Sequence, residues 1–188
     1  MDAVEAIKQD HQRMEQVFAK LEAGDGDRRA LLTEVENRLE AHSHAEEQEV
    51  YPAIKKAAPD EADEVDHGYD EHSEAESLLH KAISLADSPD FDDALQEFLE
   101  AVRHHVEEEE TELLPALADA VDEAELERLG TAFETKRHAE LQESGLDDGA
   151  HDLDDMTRAE LYEEAKRAEV PGRSHMTKDE LKDSLQDA

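Results

Sequence analysis

Along the first 143 residues, apolar side chains recur every three or four positions, the spacing of a buried helical stripe. Val4, Ile7, Met14, Val17, Phe18 and Leu21 mark a first helix over about residues 2–23. Gly24-Asp-Gly26 ends it, and Asp25 or Asp27 is placed to cap the next. Leu32, Val35, Leu39 and Val50 mark a second helix over 28–57, where Pro52 removes a backbone donor and predicts a kink. Val65, Tyr69, Leu79, Ile83 and Ala86 mark a third over 60–87. Ser88 as cap and Pro89 as first helical residue open a fourth over 89–119, with Phe91, Leu95, Phe98 and Val102 inward and Pro115 repeating the kink. A fifth helix spans 122–143, with Leu126, Leu129, Phe133 and Leu141. The polar, Gly- and Asp-containing stretch that follows reads as a linker over 144–155. The last segment, 156–188, has two Thr-x-x-Glu capping boxes, Thr157/Glu160 and Thr177/Glu180, each opening a short helix. The chain is therefore expected to be all-α: a bundle of two helix pairs over 1–143 with an extra following helix, and a small two-helix tail module.

Polar residues interrupt these stripes in phase. His11 falls between Ile7 and Met14, His42 and Glu46 between Leu39 and Val50, His72 and Glu76 between Tyr69 and Leu79, and His105 and Glu109 beyond Val102. They also repeat. His42, Glu46, Glu47 and Pro52 recur as His105, Glu109, Glu110 and Pro115 at a constant separation of 63 residues, and Asp10-His11 recurs as Glu71-His72 at 61. Residues i and i+4 share one helix face, so each His-x-x-x-Glu can reach one ion or two adjacent ions. A buried imidazole or carboxylate without a partner costs several kcal/mol. Four imidazoles and two carboxylates at matching depth would oppose folding unless they satisfy one another, and two metal ions do this. Nitrogen and oxygen donors suit iron, manganese or zinc. His44 lies about 200° around the helix from His42 and is expected in solvent. His67, His104, His138 and His151 have no in-phase partners, and His80 lies at the edge of its stripe. A ferritin-like carboxylate site needs Glu-x-x-His on two helices. The one instance, Glu64/His67, looks outward.

Composition narrows the class. With 54 acidic and 19 basic residues, the formal charge is −35, which opposes binding to nucleic acid or to an anionic membrane and favours a solvated acidic surface. There is no cysteine, so disulfides and thiolate ligands are excluded. No apolar run is long enough to span a bilayer, and the N-terminal residues lack the basic and apolar regions of a signal peptide. The expected location is the cytoplasm.

The motifs Asp10-His11, His42-x-x-x-Glu46-Glu47 through Tyr51-Pro52, Glu71-His72, and His105-x-x-x-Glu109-Glu110 through Leu114-Pro115 occur in one order. In this the chain resembles the hemerythrin HHE cation-binding family over roughly residues 1–143. The resemblance implies an up-down-up-down four-helix bundle with a non-haem pair of iron ions bridged by an oxo or hydroxo group. Carried over, His72 and His105 would bind one iron, His11 and His42 the other, and Glu46 and Glu109 would bridge them. Two positions depart from the oxygen carriers of that family. Glu76 stands where they have a second histidine on the third helix, and Glu109 and Glu110 stand at the fourth and fifth positions after His105. A carboxylate ligand at Glu76 would favour the ferric state. The expected ligand is therefore O2, NO or peroxide met in sensing or peroxide handling, with catalase- or peroxidase-like turnover an open possibility. A reversible O2-binding or iron-storage protein is the alternative. The tail resembles the small two-helix module at the N-terminus of the Rho transcription terminator, related to SAP-type modules, through Met156 to Tyr162, Val170 to Ser174 and Met176 to Leu181. Residues 152–188 carry eleven acidic and six basic side chains, which favours a protein contact over nucleic acid.

Overall fold

The computed structural model describes residues 1–146, positions 158, 161, 162, 165, 170, 172 and 173, and residues 176–186. The chain divides into two compact units, Met1–Leu146 and Asp147–Ala188. Helix α1 (Ala3–Ala23) starts at Asp2, whose carboxylate accepts the Glu5 N–H, and stops at Gly24 with φ of 67°. A left-handed residue there costs a glycine nothing sterically and ends the helix. Asp27 caps α2 (Arg28–Ala45) by accepting the N–H groups of Arg29 and Ala30. A π-helical turn (Glu46–Val50) joins α2 to α3 (Tyr51–Ala57), and a 3-10 turn (Pro59–Glu61) leads into α4 (Ala62–Ser84). Next come α5 (Phe91–Glu108), a second π-helical turn (Glu109–Leu113), α6 (Leu114–Ala120) and α7 (Glu123–Ser144).

Two boundaries differ from expectation. The third helix ends at Ser84 rather than 87, and the fourth begins at Phe91 rather than 89. Ser88 accepts the Asp90 N–H and donates to the Asp90 carboxylate, so Ser88 and Pro89 build the turn and not the first helical residues. The prolines also act differently from a simple kink. Before Pro52, the Tyr51 N–H reaches back five residues to the Glu46 carbonyl; before Pro115, the Leu114 N–H reaches Glu109. The wider turn absorbs the missing donor and resets the helix phase, as inserted π turns do.

The helices form a bundle of α1, α2–α3, α4 and α5–α6, with α7 packed against both α1 and α2. Its core is in two parts. One is built around Met14, Phe18, Leu32, Leu79, Phe91 and Phe98. The other is built around Ile7, Tyr51, Ile54, Leu114, Leu117 and Phe133. In sequence, His11, His42, Glu46, His72, His105 and Glu109 fall between contributors to the two parts, so a buried polar layer crosses the bundle. No described helix is long and apolar enough to cross a membrane.

In the second unit, Leu161, Ala165, Val170 and Leu181 form a small core of their own, flanked by Tyr162 and Met176. The helix α8 (Lys178–Gln186) opens with a reciprocal capping box: Glu180 accepts the Thr177 N–H at 2.8 Å, and Thr177 accepts the Glu180 N–H at 3.3 Å. The capping box expected at Thr157/Glu160 and most of the expected linker lie outside the described residues.

Candidate metal centre

Every imidazole of the polar layer is held from outside by a carboxylate. The Nδ1 hydrogen of His11 goes to Glu110, that of His42 to Asp10, that of His72 to Glu47 and that of His105 to Glu71, all at 2.9 Å. Those donations fix Nδ1 as the protonated nitrogen and turn each Nε2 inward. There the nitrogens meet in pairs: His11 and His42 at 3.2 Å, His72 and His105 at 3.1 Å. Nitrogen lone pairs that close repel unless a cation lies between them.

The carboxylates add to the demand. Glu46 and Glu109 are buried, and neither oxygen of either one receives a hydrogen bond. Yet imidazole nitrogens lie close to them: His42 at 3.2 Å and His72 at 3.4 Å from Glu46, and His11 at 3.3 Å from Glu109. Donor atoms of His11, His42, Glu46 and Glu109 converge in one set, and those of Glu46, His72 and His105 in a second. Glu46 belongs to both, so one carboxylate can join two metal positions. Buried carboxylates left without donors in native proteins call for an ion, and this nitrogen and oxygen set fits one.

Protons take the place of the cation in the metal-free protein. Burial pulls the His72 imidazole down, but Glu46 and Glu47 outweigh it and lift the ring to about 9. Burial acts the same way on His42 and His11; Glu46 and Asp10 raise His42 well above the ordinary range, and Glu109 raises His11. Burial would push Glu46 up, but His42 and His72 hold its carboxyl well below the usual range.

The first π turn explains a residue that the helical pattern alone misses. In an unbroken α-helix Tyr51 would lie well around the axis from Glu46. A five-residue step stacks it beneath Glu46, and Tyr51 is fully buried. Its ring stacks on His72 at 5.6 Å, and its hydroxyl lies 3.4 Å from His72 Nε2. Burial and the charges of Glu109 and Glu46 push this phenol well above its ordinary value, so it stays protonated. Gly68 makes the room: a Cβ there would stand 2.8 Å from the Tyr51 oxygen. The signal in the sequence is the Tyr-Pro pair five residues after Glu46.

Asp10 is held by a second residue missed from the sequence. Arg137 of α7 is 1% exposed, and its guanidinium lies 3.1 Å from the Asp10 carboxylate that orients His42. Arg137 continues the stripe of Leu129, Phe133 and Leu141 at four-residue steps, which is where the sequence records it.

Glu76 is not brought to the centre. It is exposed, because Ala75 and Leu79 take the inward positions of α4, and it lines an open cleft between α2 and α4. That cleft has a volume of about 380 Å³ and reaches His72, past Ser43, Glu47 and Leu79. Glu110 likewise stays outside, on His11 Nδ1. His44 pairs with Glu140 of α7 and His80 faces Glu36, both partly in solvent, while His104 is exposed.

The sequence profile of the hemerythrin HHE cation binding domain matches residues 2–117. A DNA nickase from Nostoc sp. (strain PCC 7120 / SAG 25.82 / UTEX 2576) is 27% identical over 120 residues, 62% of this chain and 34% of its own. The chain thus spans about a third of the length of that relative. The crystal structure of a hemerythrin HHE cation binding domain-containing protein from Mycobacterium kansasii superposes with a TM-score of 0.67 at 23% identity. It covers 76% of this chain and 89% of the other, a likeness of fold. With the profile covering more than half of the chain and its helices carrying the converging histidines and carboxylates, this protein belongs to the hemerythrin HHE cation-binding domain family.

Proposed function

We propose that this chain is a non-haem di-iron protein that reacts with peroxide or O2 and is a poor reversible oxygen carrier. The observation that carries the reading is the convergence of four inward Nε2 atoms on Glu46 and Glu109, whose oxygens receive no hydrogen bond. His11 and His42 would hold one iron and His72 and His105 the other, with Glu46 and Glu109 between them. Iron in such a site supplies redox chemistry on a small ligand. The chain's own residues set which iron is reached. The set of Glu46, His72 and His105 has fewer converging donors than its counterpart, and His72 lines the α2–α4 cleft. Tyr51 stands beside that position with its phenolic proton in place. On the other side, Phe133 packs edge-on against His42, and Arg137 closes over Asp10.

The outer carboxylates, and not Glu76, favour reaction over carriage. All four imidazoles donate to a carboxylate, which makes each ring a more strongly electron-donating ligand. Four such rings, with the anionic Glu46 and Glu109, would favour the more highly charged state of a bound metal, whereas a carrier must return to the ferrous state after every cycle.

Adding hydrogen peroxide to the iron-reconstituted protein tests this. Sustained O2 evolution is expected, with two irons per chain by elemental analysis. No O2 evolution, together with an optical spectrum that forms in air and reverses under vacuum, would establish the carrier instead. Nicking of DNA is not proposed for this chain, because a formal charge of −35 repels the phosphate backbone. For the second unit, contact with a protein partner is the reading its acidic composition supports.

A further inference from the structure

The internal repeat places its histidines alike in both halves but not the charges around them. Lys8 and Arg13 flank Asp10-His11, while the positions 61 residues further on, beside Glu71-His72, are Tyr69 and Glu74. Helix α7 packs over the first half, where Ala6 and Ala45 are fully buried. Their equivalents in the second half are His67 and Glu108, both partly exposed. On the side of His11 and His42, both outer carboxylates face cations. Arg137 lies 3.1 Å and Arg13 3.8 Å from Asp10, and Lys8 lies 3.7 Å from Glu110. On the side of His72 and His105, Glu47 and Glu71 pair with imidazoles, and among the described residues no lysine or arginine pairs with either. Burial ranks these cations. The side chains of Lys8 and Glu110 are 39% and 31% exposed, so water and salt screen that pair. Those of Arg137 and Asp10 are 2% and 3% exposed, where a charge acts at low local dielectric.

We infer that Arg137 makes the two metal positions unequal: it holds the ion at His11 and His42 in the lower oxidation state, so that the ion at His72 and His105 is oxidised first. Asp10 accepts the Nδ1 hydrogen of His42. An anionic acceptor draws that hydrogen outward and makes the inward Nε2 a stronger donor to metal. The guanidinium beside Asp10 offsets part of its negative charge, so His42 donates less strongly than His105, whose Glu71 has no such partner. The buried positive charge of Arg137 also opposes any added positive charge nearby. Both effects raise the potential of the ion at His11 and His42. Arg137 acts through Asp10, as a positioning residue and not as a ligand. It is supplied by α7, outside the matched residues 2–117. The inference rests on the di-iron reading, and iron content tests that reading separately.

The test is a mediated potentiometric titration of the iron-reconstituted full chain, with Mössbauer spectra of the half-oxidised protein. Each ferrous ion gives one electron to the electrode. The native chain should be oxidised in two separate steps, with the ferric charge confined to one ion between them. Arg137→Gln removes the charge but keeps a donor for Asp10. Its second step should fall towards the first, and its half-oxidised population should drop several-fold. Arg137→Lys restores the charge and should restore the separation. Glu71→Gln removes the anionic partner of His105 and should raise the first step alone. Ferric charge shared equally by the two ions of the native protein overturns the inference, and this result needs no variant to fold. Unmoved steps in Arg137→Gln also overturn it. A shift confined to the first step in Arg137→Gln, or to the second in Glu71→Gln, overturns the assignment of the positions. Fewer than two irons per native chain overturns the di-iron reading and this inference with it; two irons of equal potential overturn the role of Arg137 alone.

Discussion

Single residues in this bundle are sorted by helix phase, and adjacent positions have opposite fates. His105 is 6% exposed and points at His72, while the His104 side chain is 63% exposed. Replacing His105 by Ala should remove one of the two metals and bleach much of the optical spectrum. Replacing His104 by Ala, or Glu76 by Gln, should leave metal content within error of the native protein. Elemental analysis of the three variants side by side is the measurement, and metal loss in the Glu76 variant would restore it as a ligand. The same sorting explains why the outer carboxylates are as informative as the ligands. Asp10, Glu47, Glu71 and Glu110 each fix one imidazole, and without them the inward Nε2 lone pairs would have no reason to face one another.

At the scale of elements, the two π turns and α7 give the centre its shape. Each π turn begins at the Glu that closes a His-x-x-x-Glu pair, and each ends two positions before a proline. The turns therefore keep Glu46 and Glu109 inward while returning Tyr51 and Leu114 to the core. Helix α7 lies beyond the matched residues 2–117, yet it carries Phe133 to His42 and Arg137 to Asp10. Truncating one partner of a buried ion pair costs about 3–5 kcal/mol, because the other charge is left in a dry interior. Arg137→Leu should lower the unfolding free energy by an amount in that range, measured by denaturant titration of the metal-free protein. A loss under about 1 kcal/mol would mean that His42 alone satisfies Asp10. Gly130 lets α7 approach closely: a Cβ there would meet the backbone of Met1, Asp2 and Ala3 at 2.6–2.8 Å.

At the scale of the whole molecule, the buried layer makes stability and metal binding depend on pH in opposite directions. The imidazoles of His11, His42 and His72 are raised in the folded protein, His72 from 6.5 to about 9. Groups raised by folding contribute stability that is complete below their unfolded value and is lost as pH rises through the folded one. The metal-free protein should therefore melt at progressively lower temperature between about pH 6.5 and 9. Asp10, Glu46 and Glu71 are lowered by their histidine partners, against the upward push of burial, so their contribution disappears in acid. Metal must displace the imidazole protons, so its affinity should climb over the same interval of pH 6.5 to 9. Thermal melts and metal titrations at matched pH check both; parallel pH trends in the two would contradict the linkage. The net charge of −35 adds a salt dependence, since screening relieves repulsion among exposed carboxylates.

The sequence by itself determined the helices and the depth of the polar layer. Period and repeat are local properties: His11, His42, Glu46, His72, His105 and Glu109 fall on apolar stripes whatever the helices do next, and burial of those stripes brings the six together. Glu76 shows where local phase stops being enough. It lies as close in phase to His72 as Glu46 does to His42, but Ala75 and Leu79 fill the contact surface of α4, and Glu76 turns to the cleft. Only packing between helices decides which edge of a stripe is covered. Tyr51 depended on a π turn, whose five-residue step no fixed helical period contains. Arg137 depended on α7 docking against α1 and α2, a contact between residues far apart in the chain. The exposed corner at His67 and Glu108 is the counterpart of that docking. The repeat supplies both halves of the bundle, and the tertiary structure covers one with an arginine and leaves the other exposed.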